Sequence, residues 1–172
     1  MKKISRRSFL AVCGAMAATA ALTACGGSPA ETETAGSCTV SISCATILDN
    51  LDQLNAAKAD FVPDDGVILP ETELSFTEGE TAFDLLQRVC RDNGISMESS
   101  WSPLYKTAYI EGIANLYEFD CGKLSGWMYS VNGEFPNYGC SGYTLQDGDV
   151  ICWVYTCDLG EDVGGGYAAG GE

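Results

Sequence analysis

The sequence predicts a small α+β domain, a β-grasp-like antiparallel or mixed sheet carrying one principal helix from Thr81 to Asn93. Three observations lead there. Period-two alternation marks strands near both ends of the core region, one segment carries a helical apolar stripe with start and stop signals, and turn residues punctuate the stretches between.

In chain order, Val40, Ile42 and Cys44 alternate with Thr39, Ser41 and Ser43, as in a half-buried strand. Ile47, Leu48, Leu51 and Leu54 follow at helical spacing and predict a short amphipathic helix before the Pro63-Asp64-Asp65-Gly66 turn. Val67 to Leu69 and Leu74 to Phe76 read as two strands. In the principal helix, Thr81 with Asp84 three residues on forms a capping-box start. Phe83, Leu85, Leu86, Val89 and Cys90 make its stripe, and Gly94 supplies the left-handed stop. Tyr109 to Ile113, Trp127 to Val131 and Val150 to Thr156 alternate as strands, and Asn132-Gly133 is a hairpin signal. From Leu159 the chain is glycine-rich and carries no core pattern, so 159–172 reads as a disordered tail.

Composition narrows the function. The 172 residues hold 9 Lys+Arg against 24 Asp+Glu and no histidine. Without histidine the usual neutral-pH base, the Ser-His and Cys-His pairs and imidazole metal ligation are all missing, so no enzyme, catalytic residue or metal site is expected. The acid excess repels phosphates, which argues against nucleic acid. Asp64-Asp65-Gly66 and Asp147-Gly148-Asp149 are too short to form a calcium loop.

The basic residues cluster at the start. Lys2, Lys3, Arg6 and Arg7 precede an apolar run from Phe9 to Ala24, whose 16 residues fall short of the roughly 20 needed to span a bilayer. Residues 1–24 therefore read as a signal peptide. Leu22-Thr23-Ala24-Cys25 resembles the lipobox of bacterial lipoproteins, which implies lipid on Cys25. Ser5 to Leu10 resembles a twin-arginine export signal, against the alternative of an ordinary basic leader. Residues 25–36 then form the lipidated cysteine and a flexible tether, and 37–158 the folded domain. These readings place the protein on the extracytoplasmic face of the cell membrane, anchored by lipid. Beyond Cys25 only five basic residues oppose all 24 acids, a charge of −19.

Outside the membrane, cysteines favour disulfides. Cys38, Cys44, Cys121, Cys140, Cys152 and Cys157 are the candidates, with connectivity open, and Cys90 on the helix stripe is read as an inert buried thiol. Of the 17 aromatic residues, 12 lie between Trp101 and Tyr155. Phe135, Tyr138 and Tyr143 sit on a loop with Pro136, Gly139 and Gly142, where they either form a binding surface or fold back onto the sheet.

Several segments together resemble the bacterial transcobalamin-like C-terminal domain, a family of unknown function. They are Gly126 to Gly133, Gly139 to Tyr143, Leu145 to Tyr155, Glu78 to Leu86 and Tyr109 to Ile113, so the resemblance covers about Cys38 to Asp158. In transcobalamin and intrinsic factor this domain is the smaller lobe, which closes over cobalamin held against a larger helical domain. The resemblance implies a small-molecule binding module, with cobalamin or another corrinoid as a bound ligand and no other cofactor. The ligand surface is expected at Trp127, Tyr129, Asn132, Gly133, Phe135, Tyr138 and Tyr143. The rival expectation is an adhesion or interaction module whose partner is another envelope protein.

Overall fold

The first and last strands of the domain lie side by side in the middle of its main sheet. The computed structural model describes residues 34–166. Its main sheet runs in the order β2-β1-β7-β6, with β1 Thr34–Ser43, β2 Val67–Thr77, β6 Gly126–Val131 and β7 Val150–Thr156. β1 and β7 pair in parallel while the outer pairs are antiparallel, so the sheet is mixed and open. A second antiparallel sheet is built from β3 Met97–Ser102, β4 Thr107–Ile113 and β5 Leu116–Tyr117.

The α-helix of the described residues, α1 (Ala82–Asn93), follows its local signals. The Thr81 side chain accepts from the Asp84 N–H while the Asp84 carboxylate accepts from the Thr81 N–H, and Gly94 closes the helix at φ 66°. Ala82, Leu85, Leu86, Val89 and Cys90 are buried in one cluster with Val40 and Ile42 of β1 and Ile151 and Trp153 of β7. Where β6 and β7 face each other, Trp127 lies edge-on to Tyr155 with centroids 5.3 Å apart, and Tyr129 stacks on Trp153 at 5.5 Å. Both are directly opposed cross-strand pairs.

Several expectations are corrected. No α-helix forms over Ile47 to Leu54; a 3-10 turn, Ala45–Asp49, stands at its start, and a second, Ala56–Phe61, follows beyond it. The cause is local. The Asn50 side-chain amide donates to the Thr46 carbonyl at 2.9 Å, the acceptor its own N–H would use in an α-helix, and that N–H bonds Ile47 O instead. The two strands expected at 67–69 and 74–76 are one strand. β2 carries Pro70 through a bulge, with Val40 opposite Thr72 and Ile42 opposite Leu69, and it tolerates proline because it is an edge strand. β3 was not expected, because its residues are mostly exposed and show no alternation.

Asn132 and Gly133 both take left-handed φ, and Val131 and Glu134 exchange hydrogen bonds of 2.8 and 2.9 Å across them. The turn forms, but no strand follows it, and β6 pairs with β7 instead. Thr34–Gly36, expected in the tether, belong to β1. Past β7, Glu161–Val163 form a further 3-10 turn, where the tail was expected to begin. Asp162 holds this turn by accepting from Cys157 N at 2.7 Å and from the Thr156 hydroxyl. Residues 1–33, with the expected signal peptide, Cys25 and most of the expected tether, and residues 167–172 of the expected tail, lie outside the described residues. Among the described residues no helix is long and apolar enough to cross a membrane.

The expected disulfides among Cys38, Cys44, Cys121, Cys140, Cys152 and Cys157 are not formed: all seven described cysteines are free thiols. Cys38, Cys90 and Cys152 stand on different elements, β1, α1 and β7, whereas the Cys121 and Cys157 thiols lie within hydrogen-bonding reach of each other. Six are buried and Cys152 is half-buried. Burial pushes Cys38, Cys44, Cys90 and Cys140 up to about 11 and Cys157 to about 12. At pH 8 iodoacetamide is therefore expected to modify Cys152 well before the other six, which react only on unfolding; peptide mass mapping after timed labelling checks this.

Candidate functional site

A cavity of about 570 Å³ opens where β6, β4 and the loop between β5 and β6 meet. Its floor is the aromatic end of β6. Trp127 is almost fully buried and donates its Nε1–H to Leu116 O at 2.8 Å, and the Tyr129 hydroxyl donates to Tyr138 O at 2.8 Å. That second bond ties the 136–139 loop to the floor and presents the Tyr138 ring, half exposed, at the mouth. β4 contributes Tyr109, whose hydroxyl donates to Glu118 Oε2 at 2.5 Å. Burial and that carboxylate raise the Tyr109 phenol, and burial raises that of Tyr129, so both stay protonated donors.

Two of the six described non-glycine residues with left-handed backbone stand at the rim. Phe119 has φ 68° and Leu159 φ 48°, left-handed conformations that cost a bulky residue roughly 1–2 kcal/mol. Both side chains are nevertheless exposed, 62% and 52%, and both line the cavity. The surrounding bonds impose the conformation. Phe119 N bonds Ser125 O at 3.1 Å, Leu159 N bonds Leu124 O at 3.0 Å, and the Ser125 hydroxyl meets the Tyr155 hydroxyl at 2.9 Å. Lys58 secures the same loop by pairing with Asp120 at 3.2 Å, donating to Asn115 O and lying 4.3 Å over the Tyr117 ring. Backbone strain spent on holding apolar side chains in water marks a surface built for contact.

Of the residues expected at the ligand surface, Trp127, Tyr129 and Tyr138 meet at this cavity. Asn132, Gly133, Phe135 and Tyr143 are not part of its lining. The Asn132 side chain donates to Asp149 Oδ1 at 2.9 Å and accepts from Val150 N at 2.8 Å, and the Tyr143 hydroxyl donates to Asp149 Oδ2 at 2.8 Å. These polar groups are consumed by the fold. Phe135 packs beside Gly165, where a Cβ would come within 2.8 Å of its ring. Phe119, Leu159, Tyr105 and Tyr109 were missed; the hint for Phe119 was an apolar ring set between Glu118 and the turn-forming Asp120-Cys121-Gly122. Among the described residues no group of three Cys, Asp or Glu side chains comes together as a metal site.

Fold and cavity together define a small α+β domain with one concave aromatic surface. Residues 79–157 match the family model of a domain of unknown function (DUF4430). That span takes in every segment carrying the transcobalamin-like resemblance except Glu78. Among solved structures, the chain is similar to a protein from Ruminococcus gnavus ATCC 29149 to which metal binding is provisionally ascribed, at 17% identity over 70% of this chain and 96% of that one, with a TM-score of 0.39. It is also similar to haptocorrin in complex with Cbi, at 17% identity over 74% of this chain and 27% of that one, with a TM-score of 0.46. The chain thus spans about a quarter of haptocorrin's length. No curated protein matches the sequence.

Proposed function

We propose that the protein is an exported, lipid-anchored envelope module that binds a small molecule in the cavity floored by Trp127 and Tyr129, without chemically altering it. The observation that carries this reading is the pair of apolar rim residues, Phe119 and Leu159, held exposed in left-handed backbone over an aromatic floor. Cobalamin or another corrinoid is the ligand to try first, on the strength of the sequence resemblance. Titrating the purified protein with cobalamin and with cobinamide should give saturable quenching of tryptophan fluorescence; no saturable change with either sinks the corrinoid reading.

Phe119→Gly separates contact from architecture. Glycine takes φ 68° at little cost, so the variant is expected to gain about 0.5–1 kcal/mol in urea unfolding while losing ligand affinity. A purely structural Phe119 would lose stability instead. For the anchor, Cys25→Ser is expected to move the protein from the membrane fraction to the soluble fraction of lysed cells, read by immunoblot.

A second reading, docking of an envelope protein, draws on one feature. The end of β3 and the β3–β4 turn project Trp101, and Leu104 with Tyr105, exposed by 62%, 80% and 76%. Crosslinking in intact cells that recovers no reproducible partner, or the same partner after Leu104→Ser, counts against it.

A further inference from the structure

The phase of the β6–β7 ladder determines which main-chain groups of β6 are left open. Asn132 N donates to Val150 O at 2.8 Å, which makes Asn132 and Val150 a hydrogen-bonded pair of the antiparallel ladder. Such pairs alternate with non-bonded ones, so Ser130, Met128 and Gly126 bond to β7 while Val131, Tyr129 and Trp127 turn their N–H and C=O groups away from it. β6 is the edge of its sheet, so no strand receives those groups. At Val131 they are closed by Glu134, at 2.8 and 2.9 Å. At Trp127 and Tyr129 no partner meets them among the described residues. Gly126 through Tyr129 line the cavity in unbroken succession, so this open edge borders it.

Each of the two residues offers a donor and an acceptor on one edge, and the two sets stand about 6.8 Å apart along the strand. A carboxylate would satisfy only the donors and an ammonium only the acceptors; a carboxamide satisfies both. We infer that the cavity takes a carboxamide-bearing ligand whose N–H and C=O groups pair with the open main chain of β6 at Trp127 and Tyr129. Its apolar part lies among Tyr109, Phe119 and Tyr138. This rests on the cavity being the binding site and adds the class of ligand. Two sources carry the chemistry: a short extended peptide, which would add to β6 as a strand, and a corrinoid of the cobinamide type, whose flat ring bears amide side chains.

Amide hydrogen exchange on the full protein tests the inference, with the capped tripeptide acetyl-Phe-Val-Phe-amide and with cobinamide as probes. The expected result is slowed exchange at the Trp127 and Tyr129 N–H groups on saturation with at least one probe. If the peptide is the source, N-methylating an amide that faces β6 weakens binding about five-fold, and N-methylating the next one along leaves it unchanged. Protection by cobinamide alone supports the inference with the corrinoid as source. Saturable binding without protection of these two amides, or equal loss from both N-methylations, overturns the amide pairing and leaves the cavity as a binding site. If neither probe saturates, both readings fall.

Discussion

Asp149→Ala is expected to destabilise the domain by about 3 kcal/mol, lowering the urea midpoint by about 1.5 M. The Asp149 carboxylate is 4% exposed and gathers three donors: the Asn132 side chain at 2.9 Å, the Tyr143 hydroxyl at 2.8 Å and Gln146 N at 2.8 Å. Through them it ties together the turn after β6, the loop that follows and the start of β7. Alanine removes a buried charged acceptor from three donors at once, in a partly buried network. Asp147, two residues away, is exposed and accepts one bond, from Ser37 N at 2.8 Å, so Asp147→Ala is expected to cost at most about 1 kcal/mol. Equal losses in the two variants would refute the hub role of Asp149.

The second large effect is alkaline unfolding. Besides the five thiols held at about 11 to 12, burial keeps the Tyr155 phenol at about 12, and burial with the Asp149 carboxylate keeps that of Tyr143 there. The unfolded chain releases these protons at ordinary thiol and phenol values, roughly 8.5 and 10. Between those values and the folded ones the unfolded state binds fewer protons, so stability falls as pH rises, and it is fully present below about pH 8.5. Seven such groups together rival the whole stability of a small domain, so the protein is expected to unfold by about pH 11 in a reducing buffer. Urea midpoints at pH 7.5, 9.5 and 10.5 should decline steadily. A flat profile would mean that these groups ionise in place.

What could be read in advance followed from whether the determinants were local. α1 was legible because its cap, stripe and stop all lie within Thr81 to Gly94, and β6 and β7 because each buries one alternating face. The 45–61 segment was misread because apolar spacing says nothing about an asparagine side chain taking a helix acceptor. At the candidate site, Tyr138 was singled out as a loop aromatic and Trp127 and Tyr129 came with the transcobalamin-like segments; all three line the cavity. Asn132 and Tyr143 looked like ligand groups because the sequence does not show that Asp149, itself distant from Asn132 along the chain, claims them both. Leu159 was invisible, and Phe119 signalled only by its place beside a turn, for the opposite reason. Their left-handed backbone is imposed by Ser125 and Leu124 across a loop, and nothing in their own residue type announces it.

The central position of the β1–β7 pair sets an order of assembly. Thr39 to Ser43 find their parallel partners only at Val150 to Val154, so the middle of the main sheet cannot close until nearly the whole domain has left the ribosome. Until then the growing chain carries β1 with one edge unmatched, its Val40 and Ile42 without the Ile151 and Trp153 that cover them, and β6 with no neighbour at all. A nascent chain in that state has open strand edges beside apolar side chains, the combination that recruits holding chaperones and, where they are short, aggregates.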